Sequence, residues 1–184
     1  AVGYYGTSSD ALFTESSPPG DDFLAHVCVA WEATADRAAQ YGARVTKIRN
    51  GLVLGLDGGA LPKLLPPFML GLGGIVADGR QWYSWIHLDD AVGIFQRACL
   101  TTTQGALNAT APIPVRNSDF TRELGQAIHR PTVFKIPEFA LNFALGEGSV
   151  VATQGQRVLP EATLQTGYRF RYESIEAAFA EIFR

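Results

Sequence analysis

Asp22-Phe23-Leu24-Ala25-His26-Val27-Cys28-Val29-Ala30-Trp31 opens a stretch that runs on to Gly42 and then passes directly into Ala43-Arg44-Val45-Thr46-Lys47-Ile48-Arg49-Asn50-Gly51-Leu52-Val53-Leu54-Gly55. Leu24, Cys28, Trp31 and Ala35 recur at helical spacing. Asp21 and Asp22 stand where the orphan amides of a helix N-terminus need acceptors, and Gly42 suits its close. Val45, Thr46, Ile48 and Val53 supply the β-branched residues of a strand over 43–54. A long helix running straight into a strand is half of a β-α-β crossover, which demands a parallel sheet. The fold class is therefore α/β.

Upstream, Ala1-Val2-Gly3-Tyr4-Tyr5-Gly6 reads as a buried strand entering a turn, and Thr7 to Gly20 as a loop. Chains seldom begin inside their own core, so further natural sequence is expected before Ala1. Downstream, Gly58 to Gly79 reads as a short helix and a loop lying over a site, and Trp82 to Ile86 as a strand. Asp89 or Asp90 caps a helix with the stripe Ala91, Ile94, Phe95 and Ala98. Gly105 to Thr110 is a strand, and Asn117 or Ser118 caps a helix carrying Phe120, Leu124, Ala127 and Ile128. From Thr132 the chain becomes a compact tail: a strand at Val133–Ile136, a helix over 138–145 and a second over about 150–158. A strand follows where Tyr168, Phe170 and Tyr172 alternate with arginines, and Ser174 caps a last helix with Ile175, Ala178, Phe179 and Ile182 on one face.

The 184 residues fit one domain, or one with a small appendage. Hydrophobic residues at 47% suffice for a core, and charged residues at 18% are too few for a disordered chain. A net charge of -3, with no Lys/Arg cluster, excludes a polyanion-binding field, so no nucleic-acid partner is expected. The apolar run from Leu61 to Ile75 is broken by Pro62, Pro66, Pro67 and Lys63, so no membrane span is expected. Cys28 and Cys99 both lie in apolar helical patterns and read as buried thiols of a reducing compartment, the cytoplasm or a reducing organelle stroma. Three scattered histidines give no ligand spacing, so no metal site is expected. Ser8 and Ser9 lack a G-x-S-x-G elbow, which excludes a hydrolase of that type.

Four stretches follow one another in a telling order: Ala1–Gly6, Arg49-Asn50-Gly51-Leu52-Val53-Leu54-Gly55, Trp85-Ile86-His87-Leu88-Asp89-Asp90 and Leu107-Asn108-Ala109-Thr110. This order resembles the second half of extended short-chain dehydrogenases/reductases of the nucleotide-sugar epimerase type. More narrowly, Ser17-Pro18-Pro19-Gly20-Asp21-Asp22-Phe23-Leu24, Gly71-Leu72-Gly73-Gly74 and Gly155-Gln156-Arg157-Val158-Leu159-Pro160 are similar to an atypical subgroup. Its members are called epimerase family proteins, or cell-division-inhibitor-like, and carry a C-terminal domain of unknown function.

The resemblance implies the C-terminal half of a Rossmann-type parallel sheet over 1–131 and a small α/β C-terminal domain of the substrate-binding type over 132–184. It implies NADP or NAD as cofactor. The glycine-rich turn that holds the diphosphate in such folds is not found in the sequence, so cofactor binding is expected to need the segment preceding Ala1. The usual Tyr-x-x-x-Lys pair is also missing: Leu24 and Cys28 stand at the aligned positions, and no catalytic residue is assigned.

The resemblance places Val53 beside the nicotinamide; on the residues alone Val53 is equally a core strand residue. Gly51 and Leu52, next to it, and Tyr4, after the first strand, complete the expected cofactor contacts. Gly51 reads either as a site of close backbone approach or as a strand bulge. On the substrate side stand Arg49, to orient a phosphate or carboxylate or else to pair inside the fold, and Tyr5. Trp82 and Trp85 form either a stacking wall or core. His26 reads as solvent-exposed.

Two functions stay open. One is an NAD(P)(H)-dependent oxidoreductase or epimerase-like protein acting on a small molecule, nucleotide-linked substrates included. The other is a non-catalytic, division- or redox-linked binding module working through partners. Homo-oligomerisation is open as well.

Overall fold

A computed structural model of the chain describes residues 1–137 and 153–184. In chain order the elements are β1 (Leu12–Phe13), α1 (Phe23–Asp36), β2 (Thr46–Asn50), β3 (Leu52–Leu54), α2 (Leu61–Met69), β4 (Gly74–Val76), β5 (Trp82–Tyr83) and β6 (Trp85–His87). They continue with α3 (Leu88–Leu100), β7 (Gly105–Ala109), β8 (Val115–Arg116), α4 (Asn117–Ala127), β9 (Phe134–Ile136), β10 (Arg157–Val158), α5 (Glu161–Gln165) and α6 (Ile175–Ile182).

The helix-to-strand stretch folds as its sequence dictates. The Asp22 carboxylate accepts from the Ala25 amide at 2.8 Å, and Gly42 takes the left-handed conformation that ends the helical run. β2 then pairs in parallel with β7, Thr46 opposite Gly105 through Asn50 opposite Ala109. At Gly51 the strand changes partner. The Gly51 amide still reaches Ala109, but the Leu52 amide donates to the Ser84 carbonyl at 2.8 Å, and β3 pairs in parallel with β6. A Cβ on Gly51 would collide with the Ser84 carbonyl oxygen, so close backbone approach and the break in the strand are one feature.

Among the described residues four of the five strand pairings are parallel; β5 and β8 are antiparallel. Two buried clusters flank this framework. One gathers Leu54, Leu61, Trp85, Phe120, Leu124 and Phe179, with Phe120 and Phe179 edge to face at 5.2 Å where α4 meets α6. The other sets Ile86, Ala91, Ile94, Ala98, Leu107 and Phe170 between α3 and the strands.

Several expectations are corrected. Val2–Tyr5 is a 3-10 turn, closed by Tyr4 N to Ala1 O at 3.0 Å and Gly6 N to Gly3 O at 3.1 Å. No strand pairs with it in a ladder among the described residues, so local bonds satisfy its backbone. The expected strand over 82–86 is two short strands parted at Ser84, whose hydroxyl donates to the Gln156 carbonyl and accepts from the Val158 amide. Tyr168 to Tyr172 forms no strand: the Arg171 and Tyr172 amides donate to the Asp90 carboxylate instead. β4 lies in the loop expected after α2, and Arg157–Val158 is a strand paired with β1, not helix. The helix expected over 138–145, and the start of the one expected from 150, lie outside the described residues.

The stripe on α1 also differs, since Ala25 and Cys28 are buried while Trp31 is 68% exposed. Cys99 sits on the outward face of α3 and is exposed, unlike Cys28. The cap of α3 is neither aspartate but His87, whose Nδ1 accepts from the Asp89 amide at 3.1 Å. Asn117 accepts from the Val76 amide and donates to the Tyr83 hydroxyl, while Arg116 takes the cap position of α4.

Candidate functional site

The carboxyl ends of β2 and β3, the turn Val2–Tyr5 and the loops around Ser9 and Trp82 hold most of the expected site residues. In an open α/β sheet the carboxyl edge of the strands is where ligands bind, because chain crossings leave a crevice there.

Arg49 is turned into the fold and is 4% exposed. Its Nε and Nη2 donate to the two carboxylate oxygens of Glu32 on α1, at 2.7 and 2.8 Å. Nη1 donates to the Tyr5 hydroxyl at 2.9 Å, and the guanidinium lies 3.4 Å from the centre of the Tyr4 ring. Burial works against the Arg49 charge, but its bonds to Glu32 and Tyr5 prevail and hold its pKa above the usual arginine value. Arg49 thus organises both tyrosines from inside the protein.

Tyr5 is buried, and its hydroxyl donates to Asn108 Oδ1 at 2.6 Å while accepting from Arg49. Burial raises its pKa, against the lowering effect of Arg49, so the phenol is neutral at pH 7. With both hydrogen-bonding roles occupied, it offers no relay to a ligand. Asn108 in turn donates to the Leu159 carbonyl, and its amide donates to Glu15, which also accepts from the Ala162 amide at the start of α5.

Val53 and Leu52 point to opposite faces of the strand, Val53 toward the cluster under α3 and Leu52 toward the cluster under α4. Both are half-buried, as is Tyr4. Trp85 is fully buried with its Nε1 donating to the Ile113 carbonyl, so it belongs to the core and forms no ligand wall. Trp82 is half-buried: its Nε1 donates to the Ser9 carbonyl, and the Arg116 guanidinium lies 3.8 Å from its ring centre. Beside it opens a cleft of about 720 Å³ lined by Ser8, Ser9, Asp10, Asp78, Arg80 and Gln154, among others. His26 is exposed next to Asp21. At the two positions aligned with the Tyr/Lys pair, Leu24 is 45% exposed and Cys28 is buried.

Half-buried Val53 and Tyr4 have the apolar and aromatic character that the ring end of a nicotinamide cofactor needs, whereas Leu52 faces the other way. One buried acceptor nearby, Asn50 Oδ1, has no hydrogen-bond partner among the described residues. A glycine-rich turn between a strand and a helix, which would hold the diphosphate, is not found among the described residues. The diphosphate end has no cradle among the described residues.

Glu32, Glu15, Asn108 and Asp90 escaped the sequence reading. Glu32 sits 17 residues before its arginine, Glu15 lies in a loop without periodicity, and Asp90 stands beside Asp89 in what looks like a helix cap. Only Asp90 carried any signal: it falls on the buried stripe of α3, one residue before Ala91.

Comparison with known proteins fits this geometry. The chain is 45% identical over 183 residues to the chloroplastic epimerase family protein SDR39U1 homolog of Arabidopsis thaliana, covering 99% of this chain and 52% of that protein. It superposes with a TM-score of 0.92, at 36% identity, on the crystal structure of human epimerase family protein SDR39U1 (isoform 2) with NADPH, covering 99% of this chain and 62% of that one. The chain is a homologue of the epimerase family proteins. Residues 136–182 of this homologue match a domain of unknown function, DUF1731. A nucleoside-diphosphate sugar epimerase structure from Corynebacterium glutamicum aligns at 37% identity with a TM-score of 0.81, over 100% of this chain and 36% of that one. The architecture is the Rossmann-type α/β fold with parallel strand pairings, and the chain spans about half to three fifths of the length of the first two relatives. No helix among the described residues is long and apolar enough to cross a membrane.

Proposed function

We propose that the chain is part of an NAD(P)(H)-binding oxidoreductase or epimerase-like protein that acts on a small molecule, nucleotide-linked substrates included. The observation that carries this reading is the partner switch at Gly51. It delivers Leu52 and Val53 to the carboxyl edge of the sheet, within a superposition at TM-score 0.92 on a relative whose structure contains NADPH. When bound, the cofactor would supply hydride transfer. The chain's own part is positional: Val53 and Tyr4 would bind and orient the ring, while Leu52 packs behind them on the opposite face of the strand. Neither Leu24 nor Cys28 replaces the usual tyrosine, so the proton that accompanies hydride transfer would come from water.

The second reading, a regulatory module that keeps its cofactor without turnover, is favoured by the same two positions, Leu24 and Cys28. The experiment that separates them uses full-length protein, titrated with NADPH by fluorescence and then assayed against a panel of carbonyl compounds. Binding with NADPH oxidation, both lost in Val53→Trp with an unchanged circular dichroism spectrum, supports the enzyme. Binding without oxidation supports the module, and no binding sinks both. The cytoplasm or a reducing organelle stroma suits either reading, supported by two free cysteines and a chloroplastic relative.

A further inference from the structure

α3 presents a second surface, far from the tyrosine cluster in character. Its outer face carries Leu88 at 40%, Val92 at 46% and Leu100 at 85% exposure, an apolar row interrupted by Gln96 between Val92 and Leu100. Alongside runs the segment 168–171, and the two enclose an open groove of about 710 Å³. Arg97 on the helix and Arg169 and Arg171 on the facing segment line it; Asp89 is its only acid and lies 3.7 Å from Arg171. The groove is therefore basic on a chain whose net charge is -3.

The far wall is rigidly built. Gly93 has no side chain, and a Cβ there would strike the Tyr168 hydroxyl, so the tyrosine lies in a notch of the helix. The Tyr168 hydroxyl donates to the fully buried Asp90 carboxylate at 2.9 Å, and the Arg171 and Tyr172 amides donate to the same group at 2.9 and 3.0 Å. Both walls are thus fixed before any partner arrives, which lowers the ordering cost of binding.

From these features we infer that the groove between α3 and residues 168–171 docks an acidic amphipathic helix of a partner protein. Length argues for it: the 13 residues of α3 run about 20 Å, the span of a three-turn helix. Leu88, Val92 and Leu100 offer the apolar contacts of helix-in-groove recognition. Three arginines against one acid among the lining residues leave the groove an excess of positive charge, which favours carboxylates on the facing edge and repels a basic helix. An open, straight trough suits a secondary-structure element better than an enclosed small molecule.

The test uses two labelled three- to four-turn amphipathic helical peptides, one of leucine and glutamate and one of leucine and lysine, titrated into the protein by fluorescence anisotropy. The acidic peptide should bind at least about tenfold more tightly than the basic one. Arg169→Glu with Arg171→Glu should reverse that order, since both side chains lie on the rim and the latch to Asp90 uses only the Arg171 backbone. Leu100→Glu, at a surface position that cannot upset folding, should weaken the acidic peptide by about tenfold. Equal affinities, no binding, or binding untouched by these substitutions would overturn the inference. So would anionic phospholipid vesicles displacing the acidic peptide, which would assign the groove to a membrane surface.

Discussion

Arg49 on β2 and Glu32 on α1 meet fork to fork, with Nε to Oε1 at 2.7 Å and Nη2 to Oε2 at 2.8 Å. Both side chains are largely buried, at 5% and 15% exposure. The pair fixes how the long helix lies on the strand, and through Nη1 it also fixes Tyr5. A buried ion pair adds little against an apolar replacement, but removing one member strands the other charge. Glu32→Ala should therefore cost about 3 kcal/mol of stability, read as a lower urea midpoint with unchanged slope. Tyr5→Phe, which removes one hydroxyl from the same network, should cost only about 1–2 kcal/mol. Equal losses in the two variants would refute the ranking.

Asp90 shows how a residue can be misread by its neighbours. Its carboxylate is fully buried and holds the segment 168–172 by one hydroxyl and two backbone amides. Asp90→Ala leaves the Arg171 and Tyr172 amides without their acceptor, while the Tyr168 hydroxyl keeps the backbone carbonyl of residue 90 at 3.2 Å; the cost is about 1–3 kcal/mol per buried group left unpaired. The loss should be local first: hydrogen exchange at the Arg171 and Tyr172 amides should accelerate well before the amides of β7. Uniform acceleration across the chain would show that the latch and the core open together.

The parts of the fold that could be read from sequence were those governed by local rules. The Asp22 cap, the Gly42 close, β7 and the Ser174-capped α6 follow from propensity and capping within a few residues. What could not be read depends on partners distant in the chain. Tyr168 to Tyr172 alternates like a strand, but its amides are taken by Asp90, some 80 residues away. Val2–Tyr5 has strand-like composition, yet composition does not supply a neighbouring strand. At the candidate site, Gly51 was legible because glycine in a strand signals an unusual backbone. The inward turn of Arg49 was not, because nothing in its flanks names Glu32.

Gly51 itself can be tested. Its missing side chain lets the Ser84 carbonyl approach and accept from Leu52. Gly51→Ala would force β3 away from β6, which should cost about 2–3 kcal/mol, in the range of overpacked core sites. In full-length protein the displaced Val53 should also weaken NADPH binding. Gly58→Ala is the control: a Cβ there meets nothing, so stability should be nearly unchanged.

His87 ties the stability of the C-terminal segment to pH. Its ring is 6% exposed, packs against Tyr172 at 4.0 Å between centres with the planes tilted by 36°, and caps α3 through the unprotonated Nδ1. Burial pushes its pKa below the ordinary histidine value, and Arg171 acts in the same direction; Asp89, Asp90 and Glu181 oppose them without prevailing. Protonation would remove the cap acceptor and set a positive charge at the positive end of the helix. Because the unfolded chain then binds more protons than the folded one between the two pKa values, stability rises with pH in that window. It is fully present above about 6.5, the unfolded value, and falls as the pH drops from there toward the lower folded value. Thermal melts between about pH 5 and pH 7.5 should show this slope in the natural protein. His87→Asn keeps a capping acceptor that does not titrate, so its melts should be flatter over the same range. An identical slope in both proteins would assign the pH dependence to other groups.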